Sequence, residues 1–234
     1  MRGSLPVVAV PGLMCSARLY ADQIPALWPF GPVMVADHRH DDTMDAIAGR
    51  ILASAPPRFA LVGLSMGGYI AAAILRLAPE RVAKLALLDT SARADLPERS
   101  ETRRALIAMA EDGRFDQVVE LHFPQFVHKN RRGDVALKRV VSLMAEDTGA
   151  QAYVRQQKAI MSRPDWRARL SQVQCPTVVI VGDGDEMTPP SLAEEIASGI
   201  VGARLVVVPD CGHLTTLERP GEVNAALVAW MQGD

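Results

Sequence analysis

Short, continuous apolar runs alternate along this chain with segments whose apolar residues recur at helical spacing. Val7 to Val10, Val33 to Ala36, Phe59 to Leu64, Arg81 to Leu88, Thr177 to Val181 and Arg204 to Val208 are runs of this kind. Each is followed by glycine, proline or polar residues, and runs without apolar–polar alternation suit strands buried on both faces of a parallel sheet. Between them, Met44, Ile47, Ala48, Ile51 and Leu52 fall at i, i+3, i+4, i+7 and i+8, one face of a helix that starts at Thr43 and stops before Pro56-Pro57. Ser16 is placed to cap a helix holding Leu19, Tyr20, Ile24 and Leu27; Ser191 to Ile200 reads as helical, and Pro220 opens a terminal helix. Strand and helix in regular alternation predict a parallel sheet covered on both faces, with functional residues collecting at the carboxyl ends of the strands.

The rhythm changes between Ser91 and about Leu170, where helical patterns follow one another with no convincing strand. Breaks are expected near Gly113, near Pro124 and in the basic loop from Lys129 to Gly133. This predicts an α/β core formed by residues 1–90 and 171–234, with a helical cap or lid insertion at 91–170. The insertion holds 15 Lys or Arg and 11 Asp or Glu, so it carries +4 in a chain whose net charge is −2. Solvated helix faces account for such a bias, and so would attraction of acidic substrates toward a lid. Met109, Met144 and Met161 read as packing residues of the insertion.

Composition narrows the partners. A chain of 234 residues is long enough for one large α/β domain, and 22% charged with 49% hydrophobic residues gives no bias toward nucleic acid or membrane. A small-molecule substrate is the expected partner, and nothing specifies an oligomeric state. No apolar run approaches the roughly 20 residues needed to span a bilayer, and the start from Met1 to Pro6 lacks an extended apolar signal region. The cytoplasm is therefore the expected location. Cys15, Cys175 and Cys211 are odd in number and widely spaced, which suits reduced thiols rather than a disulfide framework or a zinc motif. The loop from Asp37 to Asp42 contains His38 and His40 among acids but reads as a solvated loop and cap, so no metal is expected. Gly182-Asp183-Gly184-Asp185 lacks the rest of a dinucleotide fingerprint, so no organic cofactor is expected either.

The candidate chemistry centres on Gly63-Leu64-Ser65-Met66-Gly67, a G-x-S-x-G stretch lying between a strand and a helix. Small flanking residues allow a sharp turn that projects the serine from the sheet edge, and the following amide, that of Met66, has no partner within the helix. A serine hydroxyl is a weak nucleophile at neutral pH and needs a base plus a group to orient that base. His213 follows the last strand and Asp185 the one before it, giving the order Ser65, Asp185, His213 with all three at carboxyl ends of strands. Asp89, after the strand that follows the elbow, and Asp183 compete for the acid role. His38, His40, His122 and His128 lack the strand and glycine that precede His213 and read as surface or lid residues. Cys15 and Cys211 fall near the pocket as buried thiols.

On these motifs, together with Thr188-Pro189 and Glu218-Arg219-Pro220, the chain resembles the α/β-hydrolase superfamily. The resemblance covers everything except the insertion, which occupies a position where lids occur in the family. It implies an α/β-hydrolase fold of about six mainly parallel strands flanked by helices with a helical lid insertion. Too few residues precede Val7 for the two leading strands usual there. It also implies that the backbone N–H of Leu13 joins that of Met66 in an oxyanion hole, although Pro11-Gly12 replaces the usual His-Gly. The implied activity is that of a serine hydrolase cleaving a small carboxylic ester through a Ser-His-Asp triad and an acyl-enzyme. An enol-lactonase, a thioesterase or a C–C bond hydrolase would use the same residues, and a slow-turnover ligand-binding receptor would retain them. Serine at the elbow separates the chain from dehalogenases and epoxide hydrolases of this fold, which use aspartate.

Overall fold

Each apolar run becomes a strand of one sheet in the computed structural model, which describes residues 4–233. Met1, Arg2 and Gly3, part of the start read as lacking a signal region, lie outside the described residues. The strands are β1 (Val7–Val10), β2 (Val33–Val35), β3 (Phe59–Leu64), β4 (Val82–Leu88), β5 (Thr177–Gly182) and β6 (Arg204–Val208). They are ordered β2-β1-β3-β4-β5-β6, and every neighbouring pair is parallel. Burial explains their composition: β1, β3 and β5 are buried at every position, whereas the edge strands β2 and β6 are only partly covered. Crossovers between parallel strands bring all the β-to-α turns to one edge of the sheet, which is where the chemistry collects.

The helices follow the apolar spacing with two exceptions. The helix expected after Ser16 is split into a short 3-10 turn, Ala17–Tyr20, and α1 (Gln23–Leu27). Pro25 supplies no N–H to the carbonyl of Ala21, so a single helix cannot run through. The helix α2 (Met44–Ser54) starts where expected, with the Thr43 hydroxyl accepting from the Ala46 N–H as its cap, and α3 (Met66–Leu77) starts directly after Ser65.

Between β4 and β5 lie α4 (Pro97–Glu111), α5 (Phe115–Phe126), α6 (Val135–Thr148) and α7 (Ala150–Met161). Pro124 does not end α5 where a break is expected. The helix continues to Phe126, because Phe123 and Phe126 bury an apolar face that outweighs one missing backbone hydrogen bond. Gly113 and Gly149, with φ of 78° and 80°, make the turns that end α4 and α6. The chain closes with α8 (Pro190–Gly199), α9 (Thr215–Glu218) and α10 (Pro220–Gln232). Among the described residues, no helix is long and apolar enough to cross a membrane.

Candidate active site

Ser65 is held between β3 and α3 in an unusual backbone conformation, φ 55° and ψ −113°. A non-glycine residue there costs about 1–3 kcal/mol and persists only where the surroundings dictate it. The surroundings do so. The Ser65 N–H donates to the Leu88 carbonyl at 2.9 Å, and its own carbonyl accepts from the Gly68 N–H at 2.9 Å and the Thr90 hydroxyl at 2.8 Å. A side chain at Gly63 would collide with the carbonyl of Gly67, and one at Gly67 with that of Val10, so the flanking glycines are required by close backbone approach.

The structure brings Ser65, His213 and Asp185 together. His213 Nε2 lies 2.8 Å from Ser65 Oγ, and His213 Nδ1 lies 2.8 Å from Asp185 Oδ2. Asp185 and His213 are almost fully buried, with 3% and 2% of their surface exposed. Asp185 accepts three further hydrogen bonds. The amides of Met187 and Thr188 reach Oδ1 at 2.8 and 2.9 Å, and the Thr188 hydroxyl reaches Oδ2 at 2.7 Å. Burial by itself raises the Asp185 carboxyl, but His213 and these donors outweigh it and hold the group below its ordinary range. The Phe126 ring stacks on His213 at 6.0 Å between centroids, and its carbonyl accepts from the amides of His213 and Leu214 at 3.1 Å each. Glu218 accepts from the Gly212 and His128 amides at 2.9 Å each, tying the His213 loop to the end of α5.

The rival acids have other partners. Asp89 is fully buried, and its carboxylate accepts from the Gly182 N–H at 3.1 Å and the Thr215 hydroxyl at 2.5 Å rather than from His213. Burial pushes its carboxyl well up, with the charge of Asp185 adding to the effect. Asp183 accepts from the Cys211 amide at 3.2 Å. Both brace the loops on which Asp185 and His213 stand.

Of the histidines expected at the surface or in a lid, only His40 is exposed, paired with Asp37 at 3.1 Å. His38, His122 and His128 are buried. His38 stands behind the turn after β1, where its Nε2 lies 2.9 Å from the Gly12 carbonyl and 3.2 Å from Gln156 Nε2. A carbonyl oxygen can only accept, so the shorter contact is the ring N–H donating to Gly12. Gln156, fully buried on α7, accepts the Met14 N–H through Oε1 at 3.1 Å, and Met14 takes φ 58°. Sequence reasoning placed His38 at the surface or in a lid and missed Gln156, since a glutamine in mid-helix carries no local signal. Together they fix the Gly12–Met14 turn from opposite ends. Among the described residues, the Leu13 amide within that turn makes no hydrogen bond, and the Met66 amide opens α3 with no partner of its own in the helix. Cys15 lines the cavity beside Ser65 and Cys211 does not. Both are free buried thiols, and burial pushes the Cys15 thiol up to about 12 and raises that of Cys211 as well.

His122 sits on α5, its Nε2 3.0 Å from the Tyr153 hydroxyl and its ring stacked on Phe126. Burial, reinforced by the charge of Arg103, pushes it down to about 4 from an ordinary 6.5. The unfolded chain therefore binds more protons between these values, and stability falls as pH drops through that window. The loss from this residue is about 3 kcal/mol. Urea unfolding of His122→Gln and the parent, compared at about pH 7 and about pH 4, is expected to show the variant losing less stability on acidification. Parallel losses would contradict this assignment.

The cavity against Ser65 and His213 measures about 20 Å³ and is also lined by Leu13, Tyr69, Arg99, Arg103, Ile160 and Met187. That is room for about one water molecule.

A model of the alpha/beta hydrolase family matches residues 8–226. The pimeloyl-(acyl-carrier protein) methyl ester esterase of Nitrosomonas europaea is 30% identical over 188 residues, covering 76% of this chain and 73% of that protein. A thermophilic esterase from Thermogutta terrifontis superposes with a TM-score of 0.88 at 28% identity, over 98% of this chain and 90% of its own. The enol-lactonase from Burkholderia xenovorans superposes with a TM-score of 0.86 at 22% identity, over 98% and 92% of the two chains, a likeness of fold.

Proposed function

The chain belongs to the alpha/beta hydrolase family, and from that premise we propose that it is a serine hydrolase cleaving a small carboxylic ester. The observation that carries this reading is the pair of 2.8 Å contacts that runs from Ser65 Oγ through both nitrogens of His213 to Asp185. In this reading Ser65 Oγ attacks the ester carbonyl while its proton passes to His213 Nε2. The negative charge moves to the carbonyl oxygen, where the amides of Leu13 and Met66 stabilise it. Collapse breaks the C–O bond to the leaving alcohol, which takes the proton from Nε2. Water then attacks the acyl-enzyme by the same route, releasing the acid and restoring Ser65. Asp185 remains ionised throughout, fixing the His213 tautomer and stabilising the imidazolium.

The esterases among the similar proteins favour an ester over a lactone, thioester or carbon–carbon bond. Residues 91–170 act in this proposal as a lid. A cavity of about 20 Å³ must widen to admit an acyl substrate, and several ties across the boundary, such as Arg132 to Glu186 at 2.7 Å and Arg93 to Glu195 at 3.0 Å, are exposed ion pairs worth little individually. An active-site-directed fluorophosphonate tests the nucleophile. A single phosphonyl adduct on Ser65, located by peptide mass spectrometry and absent after denaturation, is the expected result. No adduct, or one on another residue, would remove the basis of the proposal.

A further inference from the structure

The segment between β4 and β5 buries an ionic cluster for which acyl transfer has no use. Asp95, whose side chain is 1% exposed, pairs with two guanidinium groups: Arg103 at 3.2 Å and Arg163 at 3.0 Å, with side chains 12% and 7% exposed. The Ser100 hydroxyl donates to the same carboxylate at 2.7 Å. Two cations, Arg163 buried and Arg103 partly buried, against one anion leave one positive charge without a carboxylate partner. Arg163 also donates to the carbonyls of Arg93 and Ile160, lies 4.3 Å over the Tyr69 ring and does not line the cavity beside Ser65. Arg103 does line it. Its Nε serves Asp95 and its Nη1 donates to Gln157 Oε1 at 2.7 Å, but its Nη2 has no partner among the described residues.

Arg103 lines the cavity that holds Ser65 and His213, and so does Arg99, one turn earlier on the same face of α4. Arg99 donates to the Met187 carbonyl at 3.1 Å. No aspartate or glutamate is among the described lining residues. We infer that this cavity recognises a carboxylate: the substrate is an ester that carries a second, ionised carboxyl group, docked on Arg103 with Arg99 beside it. The planar guanidinium fork matches a carboxylate in geometry. A single negative charge also matches the one left over in the Asp95 cluster, Arg99 being exposed and screened by solvent, whereas a phosphate monoester brings about −1.5 to −2. The inference rests on the proposed role of Ser65 for its substrate, but the anion site is testable without turnover.

Calorimetric titration of Ser65→Ala protein with the monomethyl ester of an aliphatic dicarboxylic acid is the first arm. This half-ester is expected to bind about tenfold or more tighter than the matching dimethyl ester, consistent with a hydrogen bond to a charged group. Inorganic phosphate is expected not to displace it. Adding Arg103→Met, which leaves Asp95 paired with Arg163, should weaken half-ester binding about 10–100-fold, and Arg103→Lys should weaken it less. The second arm measures kcat/KM in proteins with Ser65 intact. The ratio for half-ester over dimethyl ester is expected to fall about 30-fold in Arg103→Met, with a smaller fall in Arg99→Gln, an exposed position where folding is not at stake. Equal binding of the two esters, tighter binding of phosphate, or an unchanged ratio in both variants would overturn the anion site. Half-ester binding to Ser65→Ala with no turnover by the parent would instead sustain the anion site and sink the hydrolase reading. Turnover of both esters without discrimination would do the reverse.

Discussion

Ser65→Ala is expected to lower kcat on a short-chain p-nitrophenyl ester by about 10⁴–10⁶-fold, leaving only the contribution of binding and the oxyanion donors. The loss is large because, in the proposed mechanism, the substitution removes the one atom that bonds to the substrate and strands a base with no proton to take. Folding should be unaffected. Alanine fits at φ 55° no worse than serine, and the bonds that fix this conformation come from the backbone and from Thr90. The thermal midpoint is therefore expected to stay within a few degrees of the parent's, about 1 kcal/mol in stability. A well-folded variant keeping more than about a hundredth of the parent's rate would assign the nucleophile elsewhere, given what a nucleophile in a triad is worth.

The second large effect is expected from Asp185→Asn, about 10⁴-fold in kcat. The asparagine carbonyl can take the place of Oδ1 and accept the Met187 and Thr188 amides, as the carboxylate does at 2.8 and 2.9 Å. The amide NH₂ then faces His213 Nδ1. It donates there, so the imidazole carries its proton on Nε2, 2.8 Å from Ser65 Oγ, and can no longer receive one. Stereochemistry is kept while the tautomer is wrong. Asp89→Asn makes the informative comparison, because that acid is also buried at a strand end but bonds to Gly182 and Thr215. It is expected to cost less than about tenfold in kcat, as expected of a residue that positions others. If the two variants exchanged magnitudes in steady-state kinetics, the orienting acid would be Asp89.

The contrast between these two aspartates shows how far sequence reading reaches. Both follow apolar runs, and the motif around Asp185 singled out the carboxylate that meets His213, while nothing local told that Asp89 braces the loop beneath it. The strands themselves were legible, since a strand buried on both faces must be apolar throughout, as β1, β3 and β5 are. The elbow was legible because close approach of backbones at Gly63 and Gly67 admits only glycine. Gln156 and Gln157 were not: both are polar yet fully buried, and they stand on α7 where helical periodicity alone would turn some residues to water. Their partners, Met14 and Arg103, lie on other elements. Such pairings depend on how the segment after β4 packs over the sheet edge, and helical spacing does not encode that. The +4 charge of that segment was visible as a number, but only the packing shows that Arg103 and Arg163 pair with a single carboxylate while most of the other charges are at the surface.

The hydrogen bond from Gln156 to the Met14 amide bears on how this protein can be re-engineered. Exchanging residues 91–170 for the equivalent piece of a relative is a natural way to graft a new substrate preference onto the sheet. In this chain the exchange would also remove a support of the Gly12–Met14 turn, leaving a buried backbone donor to find another acceptor or go without. A chimera would then turn over slowly for a reason unrelated to its new pocket. The two pieces are thus not modular at position 156, and a transplanted segment should carry a glutamine there, with His38 kept beneath it.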